Sequence, residues 1–550
     1  MNDNNKKVKR IDYKLRNYQQ NQYNFIDNRI DIADVVAIES GTGSGKTITF
    51  LSFVRDWLSR SENHLSNVVI TTGFNNLVFL LEKRCKEFGL NAKVLIGTKA
   101  CNCPVEMEEA GLKDTPVFTE TDKYRCGNKH KHLDVSTDNW GEKVCPFTQE
   151  LYRQYFQEIK ESVGQVIIMN HSSFLVHQEN IPNVSLLVID EAHTFADFYD
   201  SYLRLELDKN DLKNIDESIT NLKPPMNMII KMNMQKGVQL PSQQIDAICD
   251  NMKNKNSARI AREFFETKPD YSNYIERGKD SYTVDHFYRQ FELKIRPKTL
   301  LFSATMDKFT QSMFGLRESN LYRERKMFCN YSLSEFIAIP DDNFERALIK
   351  FLDYVDEEKN LKSGLILSTT IVDMNLALKH NGYRGYKMFT NREEFENYGE
   401  NSNSNDDNNS NTGIKKILVG SRSLFQGVDI KGLKFVCMNK LPFPLYDDKA
   451  RALQEYLTNH GKNDYDSWNS YVVPKTENDI IQGTGRLWRG VTDSGVVSIF
   501  DSRCEKRFKY MMRHVFDIYR HGINTKIMHE DENGNISIEK FDINKESSKY

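Results

Sequence analysis

Ser40-Gly41-Thr42-Gly43-Ser44-Gly45-Lys46-Thr47 follows the apolar run Val35 to Ile38 and opens a segment, Thr47 to Leu58, that sets Ile48, Leu51, Val54 and Leu58 on one helical face. A buried strand, a glycine-rich turn and a helix in that order make a phosphate cradle. Gly41, Gly43 and Gly45 let backbone N–H groups close on phosphate oxygens, and the helix N-terminus adds favourable potential. Lys46 is placed to reach the β- and γ-phosphates of a triphosphate, and Thr47 to ligate its Mg²⁺. Ser40 stands where the strict pattern has its first glycine.

Apolar runs like Val35 to Ile38 recur at Val68 to Ile70, Val166 to Met169, Leu186 to Ile189, Leu300 to Phe302, Leu365 to Leu367, Ile417 to Val419 and Val496 to Phe500. Each reads as a buried parallel strand. Helix-period segments lie between several of them, which predicts an α/β fold with central parallel sheets. A chain of 550 residues exceeds one hydrophobic core, so several domains are expected.

Two further segments complete a hydrolytic site. Asp190-Glu191-Ala192-His193 follows the run Leu186 to Ile189. Acids at the C-terminal end of a parallel strand face the ligand crevice, so Asp190 is placed to hold Mg²⁺ through water and Glu191 to polarise the attacking water. Downstream stands Gln482-Gly483-Thr484-Gly485-Arg486-Leu487-Trp488-Arg489. Arginines three apart at the start of a helix project from one face, so Arg486 and Arg489, flanked by Gln482, are expected to point at a γ-phosphate supplied by the first domain.

Composition narrows the partners. The net charge of −2 excludes a bulk polyanion binder, so nucleic-acid contact requires a local basic track. Met1 to Arg10 is polar and basic, and nowhere does an apolar run approach the ~18 residues needed to span a bilayer. These features predict a soluble, cytoplasmic protein without membrane contact. Nine cysteines without a secretory signal argue against a disulfide framework, yet Cys101, Cys103, Cys126 and Cys145 fall close together and ask for a metal.

Three stretches interrupt the α/β alternation. Residues 96–158 hold the four cysteines; residues 197–292 read as mostly helical, with Pro224-Pro225 as punctuation; Glu400 to Thr412 is almost wholly Asn, Ser, Asp and Glu and reads as a disordered surface loop.

With these pieces in order, the chain resembles the XPD/DinG-type iron–sulfur helicases of superfamily 2 from about residue 13 to residue 508. Arg16-Asn17-Tyr18-Gln19 looks like that family's adenine-side motif, which makes Arg16 and Gln19 nucleotide contacts. Ile70 to Asn76 sits where its first DNA-contacting motif belongs, and Asn170-His171 is similar to its Asn-His after a strand. Ser303-Ala304-Thr305 matches the motif that couples the ATP site to the DNA track. Phe425-Gln426-Gly427-Val428-Asp429, followed by Leu441-Pro442-Phe443-Pro444, is the most distinctive part, although the family writes Glu where this chain has Gln426. By that match Gly427 and Asp429 belong to the nucleotide site. Asp501 and Arg503 repeat the terminal Asp-x-Arg.

The resemblance implies two RecA-like P-loop domains, the first carrying a cysteine-rich iron–sulfur insertion and a helical arch. The expected boundaries are 1–95, 159–196 and 293–328 for the first motor domain, 96–158 for the cysteine domain, 197–292 for the arch and 329–550 for the second motor domain. It also implies a [4Fe–4S] cluster on Cys101, Cys103, Cys126 and Cys145, with zinc as the alternative for four thiolates. Cys103-Pro104 and Cys145-Pro146-Phe147 look like the family's first and last ligands. Between them the family places two cysteines and this chain only Cys126, so Cys101, Cys85, His130 and His132 compete for the fourth position.

The implied activity is an ATP- and Mg²⁺-dependent DNA helicase of replication, recombination or repair, working as a monomer on single-stranded and forked duplex DNA with 5′ to 3′ movement. Lys123-Tyr124-Arg125 and Lys129-His130-Lys131-His132 interleave cations with an aromatic, the composition of a single-strand path. The rivals are a translocase that remodels protein–DNA complexes, an RNA helicase, and a non-catalytic adaptor. Lys46, Asp190, Glu191 and Arg489 argue against the adaptor, because each serves hydrolysis rather than affinity. The Asn- and Lys-rich composition fits a bacterial or phage-infected bacterial cell.

Overall fold

The computed structural model describes residues 14–41, 43–112, 117–119, 124–125, 136–137, 143–203, 205–208, 242–250, 258, 262, 273–277, 281–286, 295–306, 308–324, 333–398, 414–421, 424, 430, 432–444, 472–488, 492–506, 523–531 and 535–540. Two compact units emerge, one holding most residues up to Tyr322 and the other most of those from Arg323 onward.

The first unit is built on strands β1 (Val35–Glu39), β2 (Asn67–Thr72), β3 (Ala92–Leu95), β4 (Val166–Asn170), β5 (Val184–Asp190), β9 (Lys298–Ser303) and β10 (Leu321–Arg323), in the order β10-β1-β9-β5-β2-β4-β3. From β1 to β3 the neighbours run parallel. Successive residues of each central strand enter opposite cores, as strand geometry requires. Val36 and Ile38 join one cluster with Phe50, Phe53 and Trp57, whereas Ala37 joins the other with Phe174, Phe195 and Tyr199. Helices α1 (Asn17–Ile30), α2 (Lys46–Ser59) and α3 (Asn75–Glu87) supply the first layer, and α6 (His171–His177) and α7 (Ala192–Leu203) the second. Burial on both faces explains why these strands are continuous apolar runs.

The eight runs named from the sequence are all strands. The helix expected at Thr47 to Leu58 is α2, with Leu51 and Val54 fully buried. In the cysteine region, α4 (Pro104–Glu109) and α5 (Pro146–Lys160) are formed, and α5 runs through the expected boundary at 158 while Tyr152, Tyr155 and Ile159 pack on the motor core.

The stretch 197–292 departs from expectation. It holds β6 (Leu205–Asp208), β7 (Asn273–Arg277) and β8 (Ser281–His286), which form an antiparallel sheet in the order β6-β8-β7, besides α8 (Ser242–Asp250). Tyr274-Ile275 and Tyr282-Thr283-Val284 are aromatic and β-branched residues suited to a pleated surface, a local signal that the overall Lys, Asn and Gln content masked.

The second unit carries β11 (Glu335–Ile339), β12 (Ser363–Leu367), β13 (Lys387–Phe389), β14 (Lys416–Gly420), β15 (Phe435–Met438), β16 (Val496–Phe500), β17 (Asn524–Glu530) and β18 (Ile536–Lys540), ordered β13-β14-β12-β15-β16-β11-β17-β18. All pairings are parallel except the closing β17–β18 hairpin. Helix α9 (Phe344–Asp353) buries Ala347, Leu348, Phe351 and Leu352 against it, and α10 (Val473–Thr484) starts with Pro474 in its first turn. Two parallel-sheet α/β units agree with the RecA-like expectation. The loop at 400–412 lies outside the described residues. No helix among the described residues is long and apolar enough to cross a membrane.

Candidate functional site

The glycine-rich turn leaves β1 and enters α2. Gly43 and Gly45 adopt φ of 76° and 77°, a region in which a Cβ would clash, so only glycine lets the loop curl there without strain. Lys46 is 8% exposed and its Nζ donates to the carbonyls of Ser40 at 2.9 Å and Gly41 at 3.3 Å. The ammonium is thus held inside the curl of its own loop, where phosphate oxygens are stronger, charged acceptors. Thr47 stands in the first turn of α2, beside Lys46; Thr42 lies outside the described residues. Thr49 Oγ1 donates to Gln22 Oε1 at 3.3 Å and ties α2 to α1. At the head of α1 the Arg16 N–H donates to Gln19 Oε1 at 2.9 Å; Gln19 is buried and Arg16 exposed.

The acidic box sits at the C-terminal end of β5, where Asp190 pairs with Phe302 of β9. Glu191 adopts φ of 52°, an uncommon conformation for a residue with a side chain, which costs ~1–3 kcal/mol and persists only when its surroundings hold it. Its carbonyl accepts the N–H of Thr194 at 2.9 Å and the Thr194 hydroxyl at 2.8 Å. His193 Nδ1 lies 2.8 Å from Ser303 Oγ and 3.5 Å from Glu191 Oε2. Ser303 Oγ also accepts the N–H of Thr305 at 3.2 Å, and Glu39 Oε2 accepts the N–H of Met306 at 2.9 Å. Residues Ser303 to Met306 are therefore pinned by the acidic box on one side and by the strand feeding the phosphate loop on the other. The sequence reading missed Glu39; an acid ending an apolar strand was its signal.

At the ends of β2 and β4 the two other motifs of this unit meet. Thr71 Oγ1 lies 2.9 Å from His171 Nδ1. His171 is fully buried between Phe195 and Phe198, and burial together with nearby His193 pulls its pKa down to about 3. Asn170 caps α6 by accepting the Ser173 N–H at 2.7 Å, and its Nδ2 donates to Asn75 Oδ1 at 2.7 Å.

In the second unit Gln482 is buried within α10, and Arg486 is 6% exposed in the turn after it. This corrects the expectation that the arginines open a helix: α10 ends at Thr484, and Arg486 follows its C-terminal end. Trp488 Nε1 donates to Ser334 Oγ at 2.9 Å and fixes that exit. Asp501 Oδ2 accepts the Leu441 N–H at 3.1 Å, while both carboxylate oxygens receive Arg503, whose guanidinium lies 4.5 Å over the Phe443 ring. The Leu441-Pro442-Phe443-Pro444 segment is thereby joined to the terminal Asp-x-Arg. Arg489, Gly427 and Asp429 lie outside the described residues.

Of the four clustered cysteines, Cys103 and Cys145 are buried side by side with Val105. Each immediately precedes a proline that starts a helix, α4 and α5. The Cys103 N–H donates to the Tyr124 carbonyl at 2.7 Å, which brings the residue two before Cys126 onto Cys103. Cys126, His130 and His132 lie outside the described residues. Cys101 is 1% exposed and packs with Ala100 and Phe118 in the motor core; burial first, then the neighbouring Cys103 and Cys145, push its thiol up to about 12. Cys85 is a core residue of α3, likewise pushed by burial to about 12. Among the described residues no three metal-ligating side chains stand together as a metal site. Two adjoining buried thiols fit half of a four-thiolate set; Cys101 lies near them but is engaged in the core.

Residues 368–516 match the helicase C-terminal domain family. The chain is 22% identical to the ATP-dependent DNA helicase YoaA of Haemophilus influenzae, over 86% of this chain and 88% of that protein. It is 39% identical to the ATP-dependent helicase DinG of Mycobacterium tuberculosis over a shorter match, 16% of this chain and 13% of that one. A solved XPD helicase structure shares the fold with a TM-score of 0.52 at 13% identity, covering 94% of this chain and all of the other. In sequence and in fold the chain is thus similar to helicases of the XPD/DinG type.

Proposed function

We propose that this chain is an ATP- and Mg²⁺-dependent DNA helicase that moves 5′ to 3′ on single-stranded DNA and opens forked duplexes as a monomer in replication, recombination or repair. The observation that carries the reading is the turn Ser303 to Met306, held by His193 of the acidic box and by Glu39 next to the phosphate loop. A turn fixed at both points moves with the nucleotide site, which is what a motor needs to convert hydrolysis into displacement. Lys46 is assigned to the β/γ-phosphates, Thr47 and Asp190 to Mg²⁺, Glu191 to the attacking water, Arg16 and Gln19 to the base, and Gln482, Arg486 and Arg489 to the γ-phosphate. Gly427 and Asp429 complete the nucleotide contacts by resemblance.

The cysteine domain is assigned to strand separation. Cys103, Cys126 and Cys145 would hold a [4Fe–4S] cluster with Cys101, Cys85, His130 or His132 as the fourth donor, and the cluster would supply a rigid covalent cross-link for a segment poor in apolar residues. The adjoining thiols of Cys103 and Cys145 support this reading.

The test is displacement of a labelled strand from a fork with 5′ and 3′ tails, alongside ATP hydrolysis with single-stranded DNA and RNA. Expected are DNA-stimulated hydrolysis and unwinding from the 5′ tail. Stimulation without displacement indicates a remodelling translocase, and preference for RNA overturns the substrate assignment.

A further inference from the structure

Phe74 occupies a position that the fold gives it no reason to hold. It is the N-cap of α3, with extended φ −130° and ψ 148° and no side-chain capping hydrogen bond. The capping position favours Ser, Thr, Asp or Asn, and losing that cap costs ~1 kcal/mol. Burial does not compensate, because Phe74 stays 37% exposed and meets Phe198 in a T-shaped contact, with centroids 6.3 Å apart and planes at 75°. A large apolar side chain that is both a poor cap and exposed marks a functional position rather than a folding one.

The surroundings indicate what it meets. Phe74 follows β2 at the C-terminal edge of the parallel sheet, where ligands of such sheets bind. Beside it, exposed Asn75 accepts the Asn170 Nδ2 at 2.7 Å through its Oδ1, which turns its own Nδ2 toward polar edges. Gly73 packs so tightly that an added Cβ would lie 3.2 Å from Thr194 Oγ1, so the loop rests on α7. Phe198 is on the same helix, and α7 begins directly after Glu191.

We infer that Phe74 is a nucleobase-stacking platform for the single strand, backed by Phe198 and so seated on the helix that follows the catalytic acids. This rests on the single-strand reading above and adds that the loop grips a base, not only the backbone. Aromatic stacking is tolerant of base identity, which suits a motor that must read through any sequence. Its attachment to α7 gives strand occupancy a packed route to Glu191.

Binding of fluorescent oligothymidylate, and of the same strand built from tetrahydrofuran abasic residues, tests this with the full chain. Phe74→Asn supplies a better cap, so its unfolding temperature should match or exceed that of the parent. Its affinity for oligothymidylate should nevertheless fall about tenfold, while affinity for the abasic strand changes less than about twofold. Phe74→Trp should retain parental affinity. Equal losses on both strands, or no loss on either, would overturn the stacking role while leaving single-strand binding intact. A parent protein that binds neither strand would instead remove the single-strand reading itself.

Discussion

The Nδ1 atom of His193 lies 2.8 Å from the hydroxyl of Ser303, joining the acidic box to the turn that leaves β9. Because Ser303 also accepts the Thr305 N–H, its hydroxyl organises the turn as well as contacting the histidine. Ser303→Ala should therefore leave ATP affinity near the parental value and lower unwinding more than hydrolysis. The quantity to measure is ATP consumed per base pair opened, expected to rise several-fold. A parallel loss of both rates would place Ser303 in hydrolysis alone.

In the proposed function Glu191 and Lys46 are assigned to the transferring phosphate rather than to the core. Glu191→Gln and Lys46→Ala should abolish DNA-stimulated ATP hydrolysis while the far-ultraviolet spectrum stays unchanged. For Arg489→Ala, ATP binding should persist and hydrolysis fall by ~10³, as for other arginine fingers. Single-turnover hydrolysis and nucleotide binding measured on the same samples separate these roles.

Asp501 is 2% exposed and serves a backbone N–H and an arginine together. Asp501→Ala should strand the buried Leu441 N–H at a cost of ~1–3 kcal/mol. The expected readout is an earlier first transition in urea denaturation of the full chain. Arg503→Ala should move it less, because that side chain is 46% exposed.

His177 Nε2 lies 2.9 Å from the Tyr152 hydroxyl and links α6 to α5. Burial, with Lys160 nearby, pulls its pKa from 6.5 down to about 4. Between those values the unfolded chain binds a proton that the folded chain does not. The contribution to stability is thus complete above pH 6.5 and is lost as pH falls toward about 4. His177→Gln should flatten the decline of unfolding temperature across that window, by the equivalent of ~1–3 kcal/mol. An unchanged pH slope would show that His177 titrates in the folded protein as it does in the open chain.

The legible parts of this chain are those in which one local segment carries the whole signal. Val36-Ala37-Ile38 announces a doubly covered strand because both faces are buried, and the glycines of the phosphate loop announce their curl because only glycine takes it. Strands Ala92–Leu95, Lys387–Phe389 and Asn524–Glu530 mix polar with apolar residues and give no comparable run. The Glu39–Met306 bond was hidden for another reason: its partners are 267 residues apart and the donor is backbone, which carries no side-chain signature. Arg486 was misplaced because its spacing from Arg489 was read as the first turn of a helix. Pro474 at the head of α10 was the true start signal.

Cys103 and Cys145 adjoin in the folded chain although 41 intervening residues separate them in sequence, and that convergence makes the cluster assignment testable residue by residue. If Cys103, Cys126 and Cys145 bind iron, anaerobically purified protein should be brown with about four irons, and each Cys→Ser change should remove the colour, since a cluster lacking a thiolate is exposed and lost. Hydrolysis stimulated by single-stranded DNA should survive in those variants, because Lys46, Asp190 and Glu191 lie in other segments. Unwinding should fail, because duplex stacking of ~1.4 kcal/mol per step still has to be broken at the fork. Cys101→Ser decides the fourth position. Cys101 packs in the motor core with Phe118 and also lies near Cys103 and Cys145, so both roles are open to it. Retained iron in Cys101→Ser with a lowered unfolding temperature would assign Cys101 to packing and turn the search to Cys85, His130 and His132. Lost iron with an unchanged apoprotein unfolding temperature would make it a ligand. Zinc in place of iron, with the same loss pattern, would preserve the four-donor site and change only its metal. A colourless, metal-free protein that opens forks at full rate would refute the cluster and leave the motor standing alone.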